Sequence, residues 1–266
     1  MIQLTDLEFK ELVTYIKKNY GINLIKKRLL IEARMYSVLV KKGMTSFTDY
    51  INLIKRDPAE LNTMLNKLTT NHTYFMREPR HFEFMNEVIL PQQKQTNRLK
   101  SLKIWSAGCS TGEEAYTAIM LMKDFFALDK TWDYRILATD ISTNVLERAK
   151  VGVYAPESLK NIPPSWERRY FKKTDGNEYA INDEIKKEVI FKRLNLMEPF
   201  PFRSKFDLIF CRNVMIYFDQ QTKNNLIKKF YDVLKQGGYL FIGHSETVQR
   251  DTVDFKYIEP SIYRKG

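Results

Sequence analysis

From residue 101 onward, short apolar runs alternate with amphipathic stretches, and this alternation constrains the fold more than any other feature of the chain. Leu102 to Ala107, Tyr134 to Thr139, Phe206 to Phe210 and Tyr239 to Ile242 read as strands. Gly112 to Leu128, Ser142 to Lys150 and Gln221 to Leu234 read as the helices between them. Strand alternating with helix implies an α/β fold, a mainly parallel sheet with helices on both faces. The tail adds a final hairpin from Phe255 to Ile258 and Ser261 to Arg264. The block from Tyr154 to Phe191 breaks the rhythm. It is polar and interrupted by Pro156, Pro163, Pro164 and Gly176, with short strands at 178–181 and 188–191. It reads as a small β insertion over the sheet edge.

The first 70 residues have a different period. Leu7, Leu12, Ile16 and Tyr20 recur at helical spacing and Gly21 follows as a stop. A very basic second helix spans Lys26 to Lys42, closed by Gly43. A third, capped by Thr45 or Ser46, ends near Asp57 and Pro58, and a fourth reaches Leu68. Thr69 to Arg80 is loop-like, a helix from Pro79 to Leu90 stops at Pro91, and Gln92 to Lys100 reads as a connector. The expected organisation is an all-helical domain over 1–70, a linker and helix over 71–100, and an α/β domain over 101–266 with its insertion at about 154–191.

Composition excludes several classes. No run of about 18 apolar residues offers a membrane span. The first ten residues carry Asp6 and Glu8 in a helical pattern rather than the basic-then-apolar order of a signal peptide, so a cytoplasmic location is expected. The only cysteines, Cys109 and Cys211, make no disulfide framework. With three scattered histidines they give no metal-ligand spacing, and no metal is expected. A net charge of +11 points to an acidic partner, either nucleic acid or a carboxylate-rich protein surface, beside the plainer reading of solubility.

Four segments carry chemistry. In Ile104 to Glu114 a strand enters a loop with Gly108 and Gly112, and a helix begins. Small residues let the backbone approach a ligand there. The spacing is not that of a dinucleotide loop, and no Lys follows the second glycine. Glu113 and Glu114 would repel a pyrophosphate but suit a ligand bearing an ammonium group, such as the methionine part of S-adenosylmethionine; the alternative is that they only complement the helix dipole. Asp140 closes the second strand, where adenosine-binding sheets hold ribose hydroxyls, or serves as a helix cap. Cys211, Arg212 and Asn213 end a third apolar strand, with the thiol read as buried rather than nucleophilic for want of an activating base. The stretch Thr69 to Glu78 holds Asn71, Thr73 and Arg77 among aromatics. Its Arg can grip a carboxylate bidentately. The Asn161-Ile-Pro-Pro segment lacks the aromatic of amino-methylating motifs, and His72, His81 and His244 read as polar fillers.

Taken in order, these segments resemble the chemotaxis receptor protein-glutamate O-methyltransferases of the CheR type. The resemblance spans nearly the whole chain and includes Gly243-His-Ser-Glu. It implies a doubly wound class I S-adenosylmethionine methyltransferase sheet with an N-terminal all-helical domain and a small β insertion. It also implies methyl transfer from S-adenosylmethionine, leaving S-adenosyl-L-homocysteine, to glutamate carboxylates in the acidic helical methylation region of receptor cytoplasmic domains. The cofactor residues so implied are Asn71, Thr73, Arg77, Glu114, Asp140, Asn195, Leu196, Arg212 and Asn213. Asp140 would hold the ribose and Glu114 the amino group, with the choice between Glu113 and Glu114 left open. Asn195 and Leu196 would flank the adenine. Arg77 would bind the cofactor carboxylate or lie near the reacting centre, and Tyr217 near the methyl group. The chain departs from the family at Ala115, at Met76, and at the turn Asp175-Gly176-Asn177, where some members use Gly-Gly to grip a receptor's C-terminal pentapeptide. A monomer independent of that tether is expected, docking its substrate through the basic second helix, so that charge reversal of Lys27 and Arg34 weakens methylation. The alternatives are a nucleic-acid methyltransferase and a non-catalytic S-adenosylmethionine sensor.

Overall fold

The computed structural model describes residues 2–69, 71–249 and 251–266. Four helices come first: α1 (Asp6–Tyr20), α2 (Arg28–Lys41), α3 (Phe47–Arg56) and α4 (Pro58–Leu68). Their ends are set by local chemistry. Thr5 and Glu8 form a reciprocal capping box on α1, and Gly21, at φ +72°, ends it. Ser46 caps α3, and Asp57 caps α4 by accepting from the Ala59 and Glu60 amides. Leu12, Ile16, Ile31, Met35, Phe47, Ile51 and Met64 close into one apolar core. Leu7 does not join it, being 81% exposed; the buried face of α1 runs through Glu8, Leu12, Val13 and Ile16 instead.

The next helix does not stop at Pro91. It runs as α5 (Pro79–Phe84), a π turn (Met85–Ile89) and α6 (Leu90–Thr96). Proline lacks an N–H and clashes with the carbonyl four residues back. The wider turn, in which the Leu90 amide bonds back to Met85, moves the backbone out of that clash. The expected connector therefore begins only at Asn97.

The α/β part consists of β1 (Ser101–Ala107), α7 (Glu113–Phe125), β2 (Asp133–Asp140), α8 (Thr143–Val151), β3 (Val153–Tyr154), α9 (Pro164–Tyr170), β4 (Phe171–Lys173), β5 (Tyr179–Ile181), α10 (Asp183–Lys186), β6 (Val189–Arg193), β7 (Phe206–Cys211), α11 (Gln220–Val233), β8 (Leu234–Ile242), β9 (Phe255–Glu259) and β10 (Ile262–Lys265). Seven strands form one sheet in the order β6-β2-β1-β7-β8-β10-β9. The first five are parallel, and β10 and β9 are antiparallel. The segment Val189–Arg193, expected inside the insertion, is the edge strand of this sheet. Only β3, β5 and β4 make the small antiparallel sheet. Asp124 on α7 anchors it by accepting from the Trp166 indole, Arg169 and the Tyr170 hydroxyl. No helix among the described residues is long and apolar enough to cross a membrane.

The order of strands decides where a ligand can sit. The chain winds outward from β1 through β2 to β6, then returns to place β7 on the other side of β1. The connections leaving β1 and β7 therefore run to opposite sides, and open α/β sheets bind ligands in the crevice at this reversal of strand order.

Candidate active site

A cavity of about 320 Å³ opens at that crevice. This is within the range of small-molecule sites. All ten residues singled out in the sequence line it: Asn71, Thr73, Arg77, Glu114, Asp140, Asn195, Leu196, Arg212, Asn213 and Tyr217. They come from three connecting segments, from the end of β2 and from the start of α7. Thr70, within the polar stretch before Arg77, lies outside the described residues.

One wall is the loop after β1. The Gly108 and Cys109 amides donate to Thr139 O at 2.8 and 2.9 Å, which folds the loop against β2. Gly108 sits at φ +88°, and a Cβ there would stand 2.3 Å from Val214 Cγ2. Only glycine allows the β1 and β7 loops to approach so closely. The Ser110 and Ser142 amides donate to the two Asp140 oxygens at 2.9 and 3.0 Å. Burial pushes the Asp140 carboxyl above its ordinary range, against these amide bonds. Glu113 and Glu114 separate here. Glu113 turns away into the protein and accepts from the Thr111 hydroxyl at 2.6 Å. Glu114 lines the cavity, accepting from Ser106 at 2.6 Å and Arg212 at 3.1 Å. Burial raises Glu114 too, opposed by Arg212.

The floor is an ionic cluster. Arg212 Nε donates to Glu78 at 2.9 Å, its Nη1 to Glu114, and its Nη2 to Arg77 O. Asn213, at φ +59°, donates from its side-chain amide to Glu78 at 3.1 Å. Burial alone would raise the Glu78 carboxyl. Arg212, Asn213 and the His244 amide outweigh it and hold Glu78 below the usual carboxylate range. Glu246, also buried, accepts from the Gly243, Asn213 and Ile216 amides at 2.6, 3.1 and 3.0 Å and so shapes the loop after β7. Neither glutamate drew notice in the sequence, although both lie inside segments that did, one beside Arg77 and one in Gly-His-Ser-Glu. These bonds use three of the five Arg212 N–H groups and set its carboxylate partners.

The remaining wall pairs residues far apart in sequence. Asn195 donates to Asn19 O at 2.8 Å and accepts from the Met197 amide at 3.0 Å, so its side chain shapes the wall from which Leu196 faces the cavity. Tyr20 and Ile22 line the cavity from the link between α1 and α2. Ile22 bridges Phe218, and the Asn23 amide donates to Tyr217 O at 2.7 Å. No pattern in the first helices signals this. Arg77 is tied to His72 O at 2.7 Å.

His72 and Cys109 also line the cavity. His81 is buried against Phe241, and burial pushes it down to about 3. Burial pushes both the Cys109 and Cys211 thiols well up. Glu78, His81 and His244 bring ligand-type atoms within 4.8 Å of one another, but Glu78 there is already engaged by Arg212 and Asn213.

Two family models match the chain. One described as the CheR methyltransferase, SAM binding domain, covers residues 71–264, and the CheR methyltransferase, all-alpha domain, covers 7–69. The chain belongs to the CheR methyltransferase family. The CheR chain is 46% identical to the chemotaxis protein methyltransferase of Borreliella burgdorferi, covering 100% of this chain and 96% of that one. The chemotaxis protein methyltransferase of Escherichia coli is 36% identical, with 92% and 86% covered. Chemotaxis protein methyltransferase 1 of Pseudomonas aeruginosa is 31% identical, with 97% of each covered. The residues around the cavity fit the S-adenosylmethionine such a domain binds: a polar-ended crevice with a carboxylate at the end of β2, a second at the start of α7, and a glycine where the loops must close.

Proposed function

We propose that this CheR protein, working in the cytoplasm, esterifies glutamate side chains of chemotaxis receptors with the methyl group of S-adenosylmethionine. The observation that carries the reading is the cavity at the switch point, where Asp140, Glu114, Arg77 and Tyr217 come together. Asp140 holds the ribose hydroxyls through oxygens left beside its two amide bonds. Glu114 takes the cofactor's amino group, and Asn195 and Leu196 form the wall beside the adenine. S-adenosylmethionine supplies an electrophilic methyl group on a sulfonium.

A glutamate carboxylate has an ordinary pKa of about 4.3 and is ionised at neutral pH, so it attacks without a base. Arg77 and Tyr217 orient it at the mouth and exclude water. Alignment of this kind contributes up to roughly 7–11 kcal/mol in favourable cases. The Arg212 cluster keeps Glu114 and Asn213 in place.

The substrate is read as the acidic helical methylation region, met by a monomer through α2. That helix exposes Leu29, Tyr36 and Val40 on one face, next to basic side chains. Six basic residues, Lys26, Lys27, Arg28, Arg34, Lys41 and Lys42, lie on α2 or at its ends; Arg28 pairs with Asp6, Arg34 donates to Lys67 O at the end of α4, and Lys42 pairs with Glu60. Lys26, Lys27 and Lys41 make no side-chain bond among the described residues, so they are the cations offered to a partner.

The test uses purified protein, labelled S-adenosylmethionine and receptor-containing membranes. Label on receptor protein, released by mild alkali as volatile methanol, is expected. Cofactor binding without base-labile transfer would overturn the reading, and RNA would be the next acceptor tried.

A further inference from the structure

Lys229 reaches from α11 to the outer side of the cavity wall. Its Nζ donates to Leu196 O at 2.6 Å and to Glu198 O at 2.5 Å, and stands 4.0 Å from the centroid of the Phe200 ring. An ammonium has three N–H groups. Two carbonyls and one aromatic face occupy them. The wall these bonds hold, residues 194–198, has no regular secondary structure. Its other bonds are the Leu194 amide to Asp140 O at 3.1 Å, a tight turn around Asn195, and the Asn195 contact with Asn19 O, so residues 196–198 are tied to the rest of the molecule by Lys229. Lys229 does not line the cavity.

We propose that Lys229 is a positioning residue for cofactor binding, fixing from behind the wall that carries Leu194, Asn195 and Leu196. The proposal rests on the placement of the adenine at that wall. Without Lys229 the Leu196 and Glu198 carbonyls lose their donor, and the segment is free to leave the shape the adenosyl end needs. Methyl transfer itself takes place elsewhere in the cavity. The effect therefore falls on cofactor affinity and not on turnover at saturation.

The ammonium has a second property. Burial lowers its pKa to about 8, opposed by Glu198, the one charged side chain on the packed elements that acts on it. Above that pH the amine keeps two donors but loses the charge that strengthens both bonds and the ring contact. Wall and cofactor affinity should loosen together at alkaline pH.

The experiment measures the dissociation constant for S-adenosylmethionine by calorimetry at pH 7 and pH 9, with steady-state methylation alongside, for wild type, Lys229→Met and Lys229→Arg. At pH 7 the Met variant should bind about tenfold more weakly, with KM for the cofactor rising in step and kcat within about twofold. The Arg variant, which can span both carbonyls and stack on Phe200, should bind like wild type. The decisive readout is the ratio of wild type to Lys229→Arg. The arginine does not titrate, so wild type alone should weaken between pH 7 and 9, while any titration of the ligand's own amino group cancels. Unchanged affinity in Lys229→Met, a fall in kcat at unchanged affinity, or a pH-independent ratio would overturn the proposal. A Met variant that fails to fold leaves the Arg comparison to decide. No binding by wild type would instead sink the assignment of the cavity on which the proposal rests.

Discussion

Arg212 has a side chain only 3% exposed, between two carboxylates supplied by residues 134 and 98 positions earlier. Removing one member of a buried ionic set leaves the others charged and unpaired, at about 3–5 kcal/mol. Arg212→Met should lower the free energy of unfolding in urea by about that amount, and binding of the cofactor should fall with it. Asp140 is a different case. Its carboxylate keeps local bonds to Ser110 and Ser142, and the proposed ribose bonds add to them. Asp140→Ala should weaken cofactor binding by about a hundredfold, measured by calorimetry, because two bonds to a charged acceptor disappear. The sequence marked Arg212, Asn213 and Asp140 because each follows a strand at the end where ligands bind. It could not mark Glu78 or Glu246 as the partners that hold them. Strand and helix periods report which face a residue occupies, not which distant charge meets it, and Glu78 reads locally as the residue before a helix-starting proline.

Loops and caps decide whether the elements meet correctly. The β1 and β7 loops touch through Gly108 and Val214. Gly108→Ala would force a Cβ into that contact in a conformation alanine resists, so it should abolish measurable cofactor binding and cost about 1–3 kcal/mol of stability. At the start of α11, Asp219 caps the helix through the Thr222 amide and pairs with Lys17 at 2.6 Å. Those bonds, the Lys17 contact foremost, draw its carboxyl down to about 2. An unfolded Asp titrates near 3.9. The stability from this group is therefore complete above about pH 4 and lost as pH falls toward about 2. Asp219→Asn keeps a capping oxygen and removes the ion pair, so urea unfolding from pH 5 to 2 should show a shallower acid limb, and high salt should shrink the difference. Many elements were legible in their periods and caps, but β8 begins at Leu234, ahead of its apolar run, and β3, α9, β4 and α10 gave no clear signal. Two further departures have a plain physical reason. Pro91 should end a helix by local rules, but a π turn outside any propensity scale absorbs it. Val189–Arg193 reads as a short apolar run, and nothing in such a run says which of two sheets it will join.

At the level of the whole molecule, a charge of +11 does not describe the docking face. Half of the basic side chains named on α2 and at its ends are tied down inside the helical part, Arg34 among them, so reversing Arg34 would damage the end of α4 as well as the surface. Lys26→Glu with Lys27→Glu is the cleaner change. It should cut receptor methylation at physiological salt about tenfold or more while leaving the cofactor dissociation constant within twofold. The turn at Gly176 between β4 and β5 has one glycine, with Asn177 rather than a second glycine at positive φ. Receptor lacking its C-terminal pentapeptide should therefore be methylated at the intact receptor's rate, and a loss of rate would show that the small sheet grips a tether after all. The cavity wall that begins at Tyr20 is completed through Glu246, nearly the length of the chain. On the ribosome, at roughly 5–20 residues per second, the four helices can settle early. The pocket waits until the loop through Glu246 has left the exit tunnel. A chain interrupted before Glu246 would carry the four helices without the carboxylate that shapes the loop after β7, and should be born unable to hold its cofactor.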